Sequence, residues 1–181
     1  TSMPGACFHG QLVCAPLLSS FGAARTATPA AAPLGHQITA EQLATEQGHA
    51  DLVAWLVDSR QWSTPLHHLR IIGAARARKL LRGGADVHAA AAAGGPTPLS
   101  LAQALRDAGE AAEGSAAQLV LAAAEPWGPR THTLFPAAAR AFAVEVLLLG
   151  HQLSRQPRFA GEEGSIVDIW MQFVMPSAVL R

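Results

Sequence analysis

The sequence predicts an all-α chain assembled from short helix–turn–helix units. Three observations carry that expectation. From Ile38 onward, apolar residues recur at helical spacing in one short segment after another. Turns containing glycine, such as Gly48-His49 and Gly83-Gly84, separate the segments. No segment shows the period-two alternation of a half-buried strand.

Taken in order, residues 1–36 read as an irregular arm. Pro4, Pro16, Pro29 and Pro33 punctuate it, and ATPAAAPLG has neither a helical nor a strand period. The apolar stretch LVCAPLL, Leu12 to Leu18, is expected to dock as a short segment. No acidic residue precedes Glu41, and Arg25 is the only basic one before it. That composition, with a start lacking methionine, fits an organelle transit segment, a trimmed form or an ordinary flexible leader.

Residues 37–125 hold three segments that lie over one another: Thr39 to Val57, Thr64 to Ala89, and Thr97 to Ala124. Each begins with threonine, continues along a short Leu- or Ala-bearing helix, crosses a glycine turn and enters a second apolar helix. In the middle segment, TPLHHLRIIGAARARKLLRGGADVHA, Thr64 suits a helix cap and Pro65 the first helical position. Leu66 and Leu69 then face inward one turn apart. Gly84 stands where the second helix must end and the chain reverse.

These phrases resemble the ankyrin repeat, whose T-P-L-H-x-A signature sits in a unit of about 33 residues. The spacing from Thr64 to Thr97 is one such unit. Asp86 and His88 fall in a GADVN-like phrase, and Gly48-His49 matches the turn between the paired helices. The pattern departs in places. The first unit is too short for a full projecting hairpin, the middle unit lacks one residue, and the third carries an insertion around Asp107 to Ser115. The resemblance implies a short ankyrin-like solenoid in which His67 is structural, while His68 is expected at the surface.

Residues 126–181 read as a C-terminal extension of two capping helices. Its phrase Trp127-Gly-Pro-Arg-Thr-His-Thr-Leu-Phe-Pro136 is similar to extensions of predicted ankyrin proteins of unicellular algae, which carry no known activity. Pro136 starts a helix with Phe142, Val146, Leu149 and Leu153 on one face. A final helix opens at Glu162 and Glu163, which complement its dipole, and aligns Ile166, Ile169, Trp170, Phe173 and Val174 before Pro176 closes it. Trp170 is expected either to cap the open end of the stack or to dock on another protein.

Composition narrows the function classes. With 13 basic and 13 acidic residues, the chain lacks the basic excess that phosphate neutralisation asks of a nucleic-acid binder. No apolar run reaches the roughly 18 residues of a membrane span, although docking onto a membrane-protein assembly stays open. Cys7 and Cys14 have no partners at ligand spacing, and His67 and His68 point about 100° apart on a helix, so no metal site is expected. Nucleophile elbows, phosphate loops and zinc helices are absent from the sequence. Glu41, Glu46 and Asp51 read as solvated carboxylates, and Arg76, Arg78, Lys79 and Arg82 as a solvated basic face or a docking patch for an acidic partner.

The expected function is therefore non-enzymatic, without cofactor: a scaffold-type protein–protein interaction module, intracellular, in the cytoplasm or an organelle, a plastid included. The repeat pattern implies partner-facing positions at Gln61, Trp62 and Ser63, at Arg70 and Ile71, and at Glu46, Gln47 and Gln103 in the adjacent units. Trp62 reads either as an aromatic anchor for the partner or as packing on Leu34 or a neighbouring hairpin. Trp55 is expected in the core, and Trp127 as the anchor of the C-terminal return. The alternative function is a structural or linker subunit built permanently into a larger complex through the arm and the apolar last helix.

Overall fold

The computed structural model describes residues 2–27, 38–91 and 94–180. The fold is mostly helical, as the sequence predicts. Its residues group into two compact units, Thr1–Gly73 with His88–Leu101, and Ala74–Val87 with Ala102–Arg181.

The first unit opens with helices where an irregular arm was expected. Helix α1 (Met3–Phe8) is capped by Ser2, whose hydroxyl accepts from Gly5 N at 3.2 Å, and α2 (Cys14–Ser20) follows. Pro4 and Pro16 stand in the first turns of these helices, where a missing N–H leaves no bond unmade, so they do not act as breakers. Most of ATPAAAPLG, with Pro29, Pro33 and Leu34, lies outside the described residues.

A two-residue ladder, β1 (Thr26–Ala27) against β2 (Ile38–Thr39), leads into α3 (Ala40–Glu46) and α4 (Ala50–Asp58). Helix α1 packs on both α2 and α3. Their shared core is small-residue-rich: Met3, Ala6, Cys7, Ala15, Ala40, Ala44, Leu52 and Leu56. The two hairpins meet closely at Gly10, where an added Cβ would lie 2.6 Å from the His49 ring. That ring reaches the Phe8 carbonyl through Nε2 at 3.2 Å.

The three threonines share one local arrangement. Thr39 N–H donates to Gln42 Oε1 at 2.9 Å, Thr64 N–H to His67 Nδ1 at 3.2 Å, and Thr97 N–H to Ser100 Oγ at 2.9 Å. In each case the acceptor stands three residues on, as in a capping box. Thr97 leads into α6 (Pro98–Asp107). After Thr64 the expected short helix shrinks to a single 3₁₀ turn, Pro65–His67, and Leu66 and Leu69 are buried as anticipated. His68 is buried too, 2 % exposed, which corrects the expectation of a surface side chain. The 3₁₀ turn packs on α2 and carries His68 against Ser19 of that helix.

In the second unit, α5 (Ala74–Arg82) packs on α7 (Ala116–Ala123) through Ala77 and Leu81 on one side and Ala116, Ala117, Val120 and Ala123 on the other. Gly84 takes the left-handed conformation (φ 86°) that the end of α5 requires. Trp127 is buried, as expected, and donates Nε1–H to His132 Nδ1 at 3.3 Å. A long helix α8 (Ala137–Ser154) then packs on α9 (Glu163–Ile169) and α10 (Met175–Ala178) over a core of Trp127, Phe135, Ala143, Val146, Met175 and Val179.

Three C-terminal expectations are corrected. Phe142 and Leu149 do not join Val146 on the buried face; they are 47 % and 59 % exposed. The buried face of α8 runs instead through Ala143, Val146, Gly150 and Ser154, whose small side chains let the neighbouring helix approach. On the last helix Ile169 and Phe173 are also exposed, and Trp170 packs against α8 with Nε1–H on the Val146 carbonyl at 3.0 Å. Nor does Pro176 close that helix. A π-helical turn over Trp170–Val174 precedes it, and α10 continues to Ala178. Proline lacks the N–H that an α-helix interior uses and crowds the preceding turn; the wider turn upstream relieves both.

Gly150 gives a test of this packing. A glycine-to-alanine change inside a helix ordinarily stabilises by about 0.5–1 kcal/mol. Here the new Cβ would lie 2.6 Å from the Trp170 ring, which its hydrogen bond holds in place. Overpacking of that kind costs about 1–3 kcal/mol. Gly150→Ala is therefore expected to lower the urea unfolding midpoint, reversing the usual sign.

Candidate partner-binding surface

Seven of the expected contact positions, Glu46, Gln47, Gln61, Trp62, Ser63, Arg70 and Ile71, belong to the first unit, whereas Gln103 falls in the second. All except Trp62 are exposed. Glu46 and Gln47 stand where α3 ends and the chain turns towards α4. Gln61, Trp62 and Ser63 form the link from α4 to the Thr64 turn, and Arg70 and Ile71 follow that turn.

The link is tightly held. Ser59 Oγ donates to the Trp55 carbonyl at 2.7 Å, and Trp62 N–H donates to the Ser59 carbonyl at 3.0 Å. Gln61 lies over Gly95, where a Cβ would collide with its amide oxygen. Trp62 is half-buried because its ring meets His68 edge-on, with centroids 4.9 Å apart at 81°, and lies 6.5 Å from Trp55 at 85°. Trp62 thus packs on the helix before it and the turn after it, through Trp55 and His68, and the other expected contact, Leu34, lies outside the described residues. One ring edge is fixed by packing while the flanking Gln61 and Ser63 face solvent. An aromatic immobilised in this way loses little side-chain freedom on binding.

Beneath the tryptophans lies a group that the sequence reading left unassigned. Arg25 sends Nη1–H to the Leu56 carbonyl at 3.1 Å and Nη2–H to Ser19 Oγ at 3.1 Å and Ser59 Oγ at 2.9 Å. Its guanidinium lies 5.3 Å from the Trp55 ring centroid, within cation–π range. Ser19 Oγ also meets His68 Nε2 at 3.4 Å, so the arginine, both tryptophans and the histidine form one cluster. Burial pushes the Arg25 pKa below its ordinary value, with the charge of Glu41 acting in the opposite direction. The available clue was a lone charge in an otherwise uncharged segment: such a charge on folded helices needs acceptors, and buried ones are hydrogen-bonded.

Glu41 itself pairs with Arg60 in a forked contact, at 3.2 Å and 2.5 Å. The hydrogen bond from Arg60 holds the Glu41 carboxyl below the usual carboxylate range. Cys7 and Cys14 are free thiols, and burial raises the Cys7 pKa, which makes it a poor nucleophile at neutral pH. Among the described residues no group of three or more His, Cys, Asp or Glu side chains could hold a metal ion. Nor, among them, is any helix long and apolar enough to cross a membrane. The expected contact positions thus present glutamine amides, the Ser63 hydroxyl, the Glu46 carboxylate, the Arg70 guanidinium, Ile71 and a half-buried aromatic.

No protein-family model, curated protein or solved structure was found to match the chain.

Two measurements check the cluster and its neighbouring ion pair. Hydrogen bonds to a charged group contribute about 1.5–3 kcal/mol, so Arg25→Met is expected to destabilise the fold by roughly that amount, read from urea unfolding. Glu41 has a folded-state pKa below its unfolded value, so its contribution is present at neutral pH and is lost as pH falls through the folded pKa. The difference in melting temperature between the parent chain and Glu41→Gln should accordingly close on acidification. A gap that is constant with pH would contradict the pairing.

Proposed function

We propose that the chain is a non-enzymatic protein–protein interaction module, a short ankyrin-like stack whose turn tips and first helices present the contact face. One observation carries this reading. His67 Nδ1 accepts the Thr64 N–H at 3.2 Å, which leaves Nε2 protonated and donating to the Pro96 carbonyl at 3.0 Å. The histidine of the TPLH phrase thus ties its own turn to the segment opening the next one, at Thr97. A role of this kind is what the repeat resemblance implies for it.

The α1–α2 hairpin supports an additional layer. Gly10 and Gly48 both adopt positive φ, 64° and 75°, at the turns of successive hairpins, and His49 links the second hairpin to the end of α1. On this reading the stack begins at Ser2 rather than Thr39. The face made by Gln61, Trp62, Ser63, Arg70 and Ile71, with Glu46 and Gln47, receives the partner. Gln103 is a further contact position.

A second reading, the structural subunit of a larger assembly, is favoured by a different observation. Phe142, Val144, Leu148 and Leu149 of α8 are exposed, as are Val13, Leu17 and Phe21 along α2. Exposed apolar side chains on each unit supply the material from which association sites are made. Native mass spectrometry separates the two readings, since a stable monomer at low micromolar concentration argues against permanent assembly.

The interaction reading is tested by affinity capture from the native source with Trp62→Ala/Arg70→Ala. Loss of a hot-spot side chain costs about 2 kcal/mol or more, so a captured partner should be lost. Because Trp62 also packs on His68, Ile71→Asp at an exposed position supplies a variant that leaves the cluster alone. If every captured partner survives both changes at unaltered ratio, the contact face is misplaced.

A further inference from the structure

The second unit contains a cleft of about 430 Å³ between the end of α8 and the start of α9. His151, Ser154 and Arg155 line one wall; Glu163, Gly164, Val167 and Asp168 line the other. His151 and Arg155 are four residues apart, as are Gly164 and Asp168, so each pair projects from one side of its helix. Ser154 is buried, and its hydroxyl donates to the His151 carbonyl at 2.9 Å, fixing the last turn of α8.

Opposite charges on facing walls would ordinarily close on one another. Here neither the Arg155 guanidinium nor the Asp168 carboxylate makes an ion pair among the described residues. Glu163 is held at the rim by the Gly161 N–H at 3.0 Å, and backbone hydrogen bonds keep its carboxyl ionised, below the usual carboxylate range. The space beside Gly164 is open, since a Cβ built there meets no atom within 4 Å. Val167 adds apolar surface.

We propose that this cleft binds a small zwitterion, a free α-amino acid or a dipeptide, with its carboxylate on Arg155 and its ammonium between Asp168 and Glu163. The two charges decide the ligand class. A simple anion drawn to Arg155 would face both carboxylates, and a simple cation drawn to the carboxylates would face Arg155. A molecule carrying both charges satisfies both walls. The volume lies towards the low end of the roughly 300–1,000 Å³ of small-ligand sites, which suits a compact ligand. The proposal concerns the second unit and is independent of the contact face on the first.

The test is an amide-resolved NMR titration of the full chain at low salt with L-alanine and with L-alanyl-L-alanine. Saturable shifts confined to residues 151–155 and 163–168 are expected from at least one of them, and which one saturates assigns the ligand as amino acid or dipeptide. N-acetylated and C-amidated versions each lack one charge and should bind at least about tenfold more weakly. Arg155→Gln and Asp168→Asn, both at exposed positions, should weaken binding similarly. Gly164→Phe should fill the cleft and abolish it. The absence of saturation with both ligands, or equal binding of the blocked versions, overturns the proposal. So does undiminished binding in Arg155→Gln and Asp168→Asn, which keeps the test decisive even if Gly164→Phe fails to fold.

Discussion

Alanine sets the terms on which this chain folds. In the first unit Ala6, Ala15, Ala40 and Ala44 are fully or almost fully buried, and in the second Ala77, Ala102, Ala116, Ala117, Ala123 and Ala143 are. Each buried methylene-sized group contributes about 0.8 kcal/mol, against about 1.5–3 kcal/mol for a leucine. Helices α1, α2 and α3 have 6, 7 and 7 residues, well below the roughly 12–15 at which isolated helices become even marginally stable. Such helices hold only if their backbones approach closely, which alanine and glycine allow, and if polar groups pin the approach. The first unit supplies those pins in His49 on Phe8, His67 on Pro96 and Arg25 on Leu56.

The Arg25 cluster shows how one pin serves two ends. Its guanidinium reaches acceptors at the close of both α2 and α4, through Ser19, Leu56 and Ser59, and joins segments distant in sequence. Its charge sits near the Trp55 face, and Ser19 passes the contact on to His68, which braces Trp62. The rigidity of the one large aromatic on the expected contact face therefore originates in an arginine well away from it in sequence. A positively charged group surrounded by neutral acceptors loses less by burial than a bare charge, because its N–H groups are satisfied even without a carboxylate.

What the sequence made legible follows from how local each signal is. The helical class, the three threonine caps, the glycine turns and the structural role of His67 depend on residues within a few positions of one another, and all can be read directly. The helices in the first twenty residues were obscured because Pro4 and Pro16 look like breakers unless the helix start is known. His68 depended on contact with Ser19, Trp55 and Trp62, which no local pattern encodes. The buried face of α8 was likewise settled by α9 and α10. Phe142 and Leu149 form as good a helical stripe as Ala143 and Gly150, and the bulky Trp170 ring selects the side with room for it. Among the expected contact positions Gln61, Ser63, Arg70 and Ile71 are exposed, while the packing of Trp62 on His68 and Trp55 involves residues that no local pattern links to it.

This use of polar side chains also bears on the binding role proposed for the first unit. General acid–base or nucleophilic catalysis needs a titratable pair facing a space where a substrate can sit. His67 has both ring nitrogens engaged by backbone and cap, His68 is enclosed by aromatics, and Cys7 lies in the core with its thiol pushed towards the neutral form. The groups with chemical potential are thus occupied in holding short helices together. What remains at the surface around Trp62 is the Gln61 amide, the Ser63 hydroxyl and the Arg70 guanidinium, the groups on which the proposed contact face rests. The same requirement that makes alanine-rich helices depend on polar pins keeps His67 and Arg25 engaged in packing, and leaves the turn tips as the surface on which the proposed function rests.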